Sequence, residues 1–354
     1  MNRRLPPLLI VPLLAAAAHA HHSFAPHFDV DKPVNISGTV IEYEARNPHS
    51  YLRIATVDEN GKTQEYVCES HGVTQLTRNG ITPAMLVPGT ELRVDGSLSR
   101  HSPYMCFFNN VYFRDGRAFN VNGPRGPQTI RAPGPAALPA RTDIFGTWLL
   151  APNPNAGARR DGTSRPQPMM AFLTPAGQAA VAAYDPFTDD PTFRCDPVAI
   201  RRVWGAPGTP LQIVRERDRV LLRHEWMDVV RTVHLDTRGH PVDGPRTSLG
   251  HSIGYFEGDT LVIETANYSA GVLNQYVEEP GKPTRGLLHS AALTSVERLS
   301  LDAERQRLVV EVGLEDPEFF TRDFDVARSE YAPSDLSLEP FNCSPEGVTG
   351  PIER

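Results

Sequence analysis

An apolar leader ends at Ala18-His19-Ala20 and is followed at once by His21 and His22. A cut after Ala20 would make His21 the first residue. Its free amine and ring Nδ1 close a six-membered chelate on one metal, and one more imidazole completes a T-shaped nitrogen set of the kind that suits Cu(II) or Ni(II). His49, in Asn47-Pro48-His49 at the start of an apolar run, is the first candidate for that imidazole. A cut after Ala18 would instead place His21 third, where amine, backbone amides and imidazole also hold copper in a plane. The bland alternative is that the leading histidines are solvated and that His49 braces a turn.

A second set of chemistry-bearing residues lies in the carboxy-terminal half. The stretch Arg219 to Asp236 reads as one long strand. On that reading Glu225 and Arg231 share a face with Leu221, Met227, Val229, Val233 and Leu235. Apolar company implies burial, and a buried charge left unpaired costs about 3 to 5 kcal/mol, so both must find each other or other partners, among them Glu297, Arg298 and Glu311. Glu225, Arg231 and Glu264, with His251 and His289 at strand ends, form a candidate acid-base set: burial raises a carboxyl pKa and arginine stabilises an oxyanion. A purely structural ion pair between Glu225 and Arg231 is the alternative reading, and the one the pattern favours. Trp226, Tyr255, Tyr268 and Arg298 are candidate ligand contacts, although aromatic side chains on strands are normally packing. His240-Pro241 reads as a turn.

These residues need elements to position them, and the composition says which kind. With 33 prolines and 27 glycines in 354 residues, turns outnumber long helices. Short apolar runs at Ile36–Tyr43, Tyr51–Val57, Gln64–Cys68, Glu91–Ser97, Cys106–Phe113 and Ala118–Val121 predict strands, with a helix around Val73–Arg78 between the third and fourth. A barrel of about five strands with a helix in that place is the layout of an OB-like module. Residues 122–141, rich in proline and glycine, read as a semi-rigid linker. Beyond them, strands at Leu211–Arg215, Thr260–Ala266, Ala292–Leu301 and Arg307–Leu314, with one helix at Pro175–Tyr184 capped by Thr174, predict a larger antiparallel barrel or sandwich. The expected organisation is therefore all-β: a signal peptide at 1–20, an OB-like module at 21–121, the linker, and a β-barrel domain at 142–354.

Residues 1–20 carry Arg3 and Arg4, a short apolar run and small residues at the expected cleavage site, the pattern of export to a periplasm or outside the cell. No integral membrane span is expected. Losing the two arginines takes the formal charge from -7 to -9, which disfavours nucleic acid as a partner. Four cysteines in an oxidising compartment favour disulfides, and module-by-module closure pairs Cys68 with Cys106 and Cys195 with Cys343. A phosphate loop, a dinucleotide fingerprint and a zinc-protease helix are all missing from the sequence.

HHSFA at 21–25, KPVNISGTV at 32–40, NPH at 47–49 and DGR at 115–117 resemble a bacterial secreted family of unknown function. That resemblance implies an exported OB-like module and no established activity, and the Cys68 and Cys106 pair departs from its common pattern. Gly146-x-Trp148 resembles the opening of lipocalins and other calycin barrels, where the tryptophan plugs the closed end of a ligand cup. The run from FGTW through LTPAGQAA, YDPFTDDP, FEGDTLVIET and LEDP is similar to a widespread exported group without an assigned reaction. The leading expectation is binding of a small hydrophobic or aromatic molecule in the larger barrel, with copper in the smaller module. The alternatives are a cofactor-free lyase, isomerase or hydrolase in the barrel lumen, or a scaffold docking by its surfaces.

Overall fold

The computed structural model describes residues 27–57, 61–121, 138–151, 168–185, 188–205, 208–276 and 285–345. His21, His22 and most of the linker lie outside them. The amino-terminal strands are β1 (Phe28–Glu44), β2 (His49–Val57), β3 (Thr63–His71), β4 (Glu91–Ser99), β5 (Met105–Phe113) and β6 (Ala118–Asn120), with helix α1 (Val73–Arg78) between β3 and β4. They run in the order β3-β2-β1-β4-β5-β6, and β3 also pairs with β5, which closes the sheet. This is the OB-like barrel that the spacing predicts. Alternating residues such as Leu52, Ile54, Val94 and Val111 fill it, and α1 adds Leu76 to cover one end. Asp115-Gly116 makes the β5–β6 turn, with Gly116 at φ +88°, a conformation glycine adopts without steric cost.

The larger barrel comprises β7 (Gly146–Leu150), β8 (Pro210–Arg215), β9 (Arg219–His224), β10 (Val230–His234), β11 (His251–Glu257), β12 (Thr260–Ala266), β15 (Thr294–Asp302), β16 (Arg307–Glu315) and β17 (Phe324–Pro333). A separate hairpin, β13 (Gly271–Tyr276) with β14 (Arg285–His289), stands beside it. The nine strands close in the order β10-β11-β12-β15-β16-β17-β7-β8-β9. Helix α2 (Pro175–Ala183) starts where expected, with Thr174 Oγ1 accepting the Gly177 N–H at 3.1 Å. A single turn, α3 (Ile200–Val203), was not foreseen, because four residues are too few for periodicity to register. No helix of the described residues is long and apolar enough to cross a membrane.

The interior of this barrel is packed. Leu211, Ile213, Val220, Leu222, Val233, Leu261, Ile263, Leu299, Leu308 and Val310 meet Trp148, Ile200 and Trp204 in one core. Trp148 is fully buried and donates its indole N–H to the Ile144 carbonyl at 2.8 Å.

The two sheets are joined by side chains and by the carboxy-terminal segment. Asn47 and Cys343 form a parallel bridge, and the Ser344 N–H donates to the Asn47 carbonyl at 2.8 Å. The buried Asn47 amide donates to Thr74 Oγ1 at 2.8 Å and to the Phe341 carbonyl. Gly72 passes so close that a Cβ there would lie 2.2 Å from Asn47 Oδ1. Both expected disulfides are present, Cys68–Cys106 and Cys195–Cys343, the latter tethering this segment to the larger barrel.

Candidate functional site

The stretch 219–236 is not one strand. After His224 the chain turns through Glu225 to Val229, with Met227 at φ +59° and Asp228 at φ +51°, and returns as β10 antiparallel to β9. No glycine marks the turn, so the apolar pattern runs through it undisturbed. The turn sends Glu225 and Arg231 to different places, and the internal bridge between them expected from strand parity does not form. Glu225 is buried at the contact between the two barrels, where its carboxylate takes a bidentate pair from Arg78 of α1, one arm at 2.6 Å, and accepts the Glu339 N–H at 2.9 Å.

Arg231 points into the larger barrel and pairs across its interior with Glu297 of β15, at 2.9 and 2.8 Å. Ser252 Oγ, at 3.0 Å, and Thr265 Oγ1, at 3.3 Å, accept from the same guanidinium. Trp204 donates to Glu297 Oε2 at 2.6 Å, and Tyr331 donates to the Trp204 carbonyl. The space that the sequence suggests for a ligand cup is thus occupied by a polar network in which, of these groups, only the Arg231 Nε–H is left without a hydrogen-bond partner. Tyr268 belongs to the same layer: its hydroxyl meets Ser295 Oγ at 2.7 Å, and burial pushes its pKa up to about 12. His224, edge-on to Trp204, is held neutral by burial and by Arg231, its pKa falling to about 3.

The remaining predicted side chains are dispersed. His289 is buried under the Tyr268 ring, with Nδ1 3.0 Å from the Ser290 carbonyl, and burial depresses its pKa. Trp226 packs beside the Cys195–Cys343 disulfide, and Arg298 is exposed and paired with Glu257 at 2.5 Å. Of the five acid-base candidates, Arg231 and His289 are interior, Glu225 is at the contact between barrels, and His251 and Glu264 lie on the outer side.

Those last two flank the one parallel junction of the larger barrel. Strand β10 pairs with β11 through only Val233↔Ser252 and His234↔Ile253. His234 stacks on His251 with centroids 5.0 Å apart and planes within 10°, and His240 Nδ1 lies 3.0 Å from His251 Nδ1. Burial first, then His234 and His240, hold the His251 imidazole below its ordinary pKa. Sequence reading passed over His240 as a turn residue and could not see His234, because the rings converge only through this register.

Where β10 and β11 part, a groove of about 550 Å³ opens, lined by Arg215, Leu235, Arg238, Ile253, Gly254, Tyr255, Phe256 and Glu264. Tyr255 donates to Glu264 Oε1 at 3.3 Å. The guanidinium carbon of Arg215 lies 4.8 Å from the centroid of the Phe256 ring, and that of Arg238 5.5 Å from the Tyr255 centroid. Tyr255 and Glu264 were legible as candidates; the two arginines were not, since nothing distinguishes them in sequence from other surface cations. A second groove of about 230 Å³, lined by His234, Thr247 and His251, lies on the other side of the junction.

In the smaller barrel His49 faces His71 as its cross-strand partner, and its Nδ1 is 3.8 Å from Glu69 Oε1. Among the described residues no group of three or more His, Cys, Asp or Glu converges as a metal centre. Residues 10–104 match the model of a family described as a family of unknown function (DUF6152). No curated protein and no solved structure matches the chain, so its likeness to known proteins rests on that amino-terminal segment, which is similar to a family without an assigned activity.

Proposed function

We propose that this is an exported binding protein that holds a small hydrophobic or aromatic molecule in the groove beside the β10–β11 junction. The observation that carries this reading is the two-pair parallel closure: the wall parts there, and Tyr255 and Phe256, paired with β12 on one side, line an opening of about 550 Å³ on the other. That volume falls within the range of about 300–1,000 Å³ typical of small-molecule sites, and a few polar groups among apolar ones is their usual lining. Thermal shift and calorimetry with a panel of neutral aromatic molecules should give binding that Tyr255→Ala with Phe256→Ala abolishes. Binding unaffected by that double variant would remove the groove from consideration. Product formation lost in Glu264→Gln would favour the acid-base alternative.

A second reading, copper in the amino-terminal module, draws support from the His49–His71 pairing beside Glu69, which places two imidazoles on one face of β2 and β3. Cu(II) titration of the mature chain, its first residue fixed by mass spectrometry, should lose affinity both in His49→Ala and when one residue is added ahead of the terminus. Affinity unchanged in both would exclude this chelate.

A further inference from the structure

We propose that the groove selects an aromatic monocarboxylate, with Arg215 and Arg238 taking its carboxylate; the inference rests on the groove being the ligand site. The starting point is how the arginines of this barrel are used. Arg298 has Glu257, Arg305 has Glu330, and Arg219 has Glu216. Among the described residues, Arg215 and Arg238 have no carboxylate partner, yet both line the same groove.

Each is placed by an aromatic ring. Arg215 lies over Phe256 and 5.9 Å from the Phe145 centroid, while Arg238 lies over Tyr255. Stacking holds a guanidinium by its face and leaves the N–H donors at its edge, the geometry that grips a carboxylate. Holding the cation beforehand lowers the side-chain ordering that binding would otherwise require. Two arginines against Glu264 leave a formal charge of +1 in the groove, which one carboxylate neutralises and a dianion exceeds. Leu235, Ile253 and the rings of Tyr255 and Phe256 provide the apolar contact for the body of the ligand. The smaller groove across the junction offers no such pair, because the one arginine lining it, Arg231, already has its carboxylate in Glu297.

The test compares benzoate, phenyl phosphate and benzyl alcohol on the full-length mature protein by calorimetry. Benzoate should bind at least about tenfold more tightly than benzyl alcohol, equivalent to about 1.4 kcal/mol, and more tightly than phenyl phosphate. Added NaCl should weaken benzoate alone of the benzoate and alcohol pair. Arg215→Gln with Arg238→Gln should bring benzoate down to the level of the alcohol, and the salt titration of the unaltered protein gives the same discrimination without any variant. Equal binding of benzoate and benzyl alcohol would overturn the carboxylate inference while leaving the groove reading intact. Preference for phenyl phosphate would overturn the monoanion. Failure of all three, together with the neutral panel, would remove the groove itself.

Discussion

Both barrels close through one parallel pairing among otherwise antiparallel strands, and the two closures are secured by different chemistry. In the smaller barrel β3 meets β5 over Val67↔Met105, Cys68↔Cys106 and Glu69↔Phe107, and the middle pair is a disulfide with both cysteines buried. In the larger barrel β10 meets β11 over two pairs, and the groups gathered on its outer side are three partly exposed imidazoles. A parallel junction is slightly less stable per residue than an antiparallel one. A covalent link secures the first closure, whereas the second rests on two backbone pairs with stacked and hydrogen-bonded rings beside them.

The largest expected effect is on the locked closure. Cys68→Ala with Cys106→Ala opens a loop with a sequence separation of 38, and chain entropy puts the loss at about 4 kcal/mol. All three tryptophans, Trp148, Trp204 and Trp226, lie in the carboxy-terminal part, so circular dichroism should show an earlier transition while tryptophan fluorescence shifts less. Coincident shifts would mean that the barrels unfold as one unit.

Next comes the contact between them. Arg78→Met leaves the buried Glu225 carboxylate without its bidentate partner; with Arg78 partly exposed, the loss should be about 2 to 3 kcal/mol, and Glu225→Met in the same chain should recover most of it. Urea unfolding of the two variants gives the comparison, and equal destabilisation in both would show that the pair itself matters little.

Acid should act mainly on the larger barrel. His224 is neutral in the fold with a pKa of about 3, and His289 is also depressed, against an ordinary value of 6.5. The unfolded chain therefore binds more protons below pH 6.5. The stabilisation from keeping these rings neutral is present above that value and declines as pH falls below it, for His224 by about 1.4 kcal/mol per pH unit down to about 3. His224→Gln should flatten the dependence of stability on pH between 6 and 4; an unchanged slope would contradict the burial of that imidazole. The smallest effect belongs to the outer rings: His251→Leu at pH 8 should cost less than about 1 kcal/mol, since the site is partly exposed and one hydrogen bond is lost. A loss well above that would mean that the imidazoles, not the two backbone pairs, hold the junction.

Much of the architecture was legible because strand alternation and turn residues are local signals. The strands of the smaller barrel, α1 at Val73–Arg78, the Thr174 cap of α2 and both disulfides were read correctly. The hairpin hidden in 219–236 was not, because Met227 and Asp228 adopt the left-handed conformation that usually announces itself with glycine or asparagine. That one error misplaced Glu225 and Arg231 together. Glu297 was visible as a possible partner, but which acid reaches Arg231 depends on the order of strands around the closed sheet. Arg215, Arg238, His234 and His240 come together through a junction whose register no local pattern specifies.

The segment from Ser337 to Ser344 supplies contacts to both barrels: Arg78 donates to the Ser337 carbonyl, Asn47 is bridged by Phe341 and Ser344, and Cys343 is bonded to Cys195. Asn47 is therefore held by a partner 294 positions away in sequence, so loss of that final stretch of chain would uncouple this anchor without touching the strands of the smaller barrel.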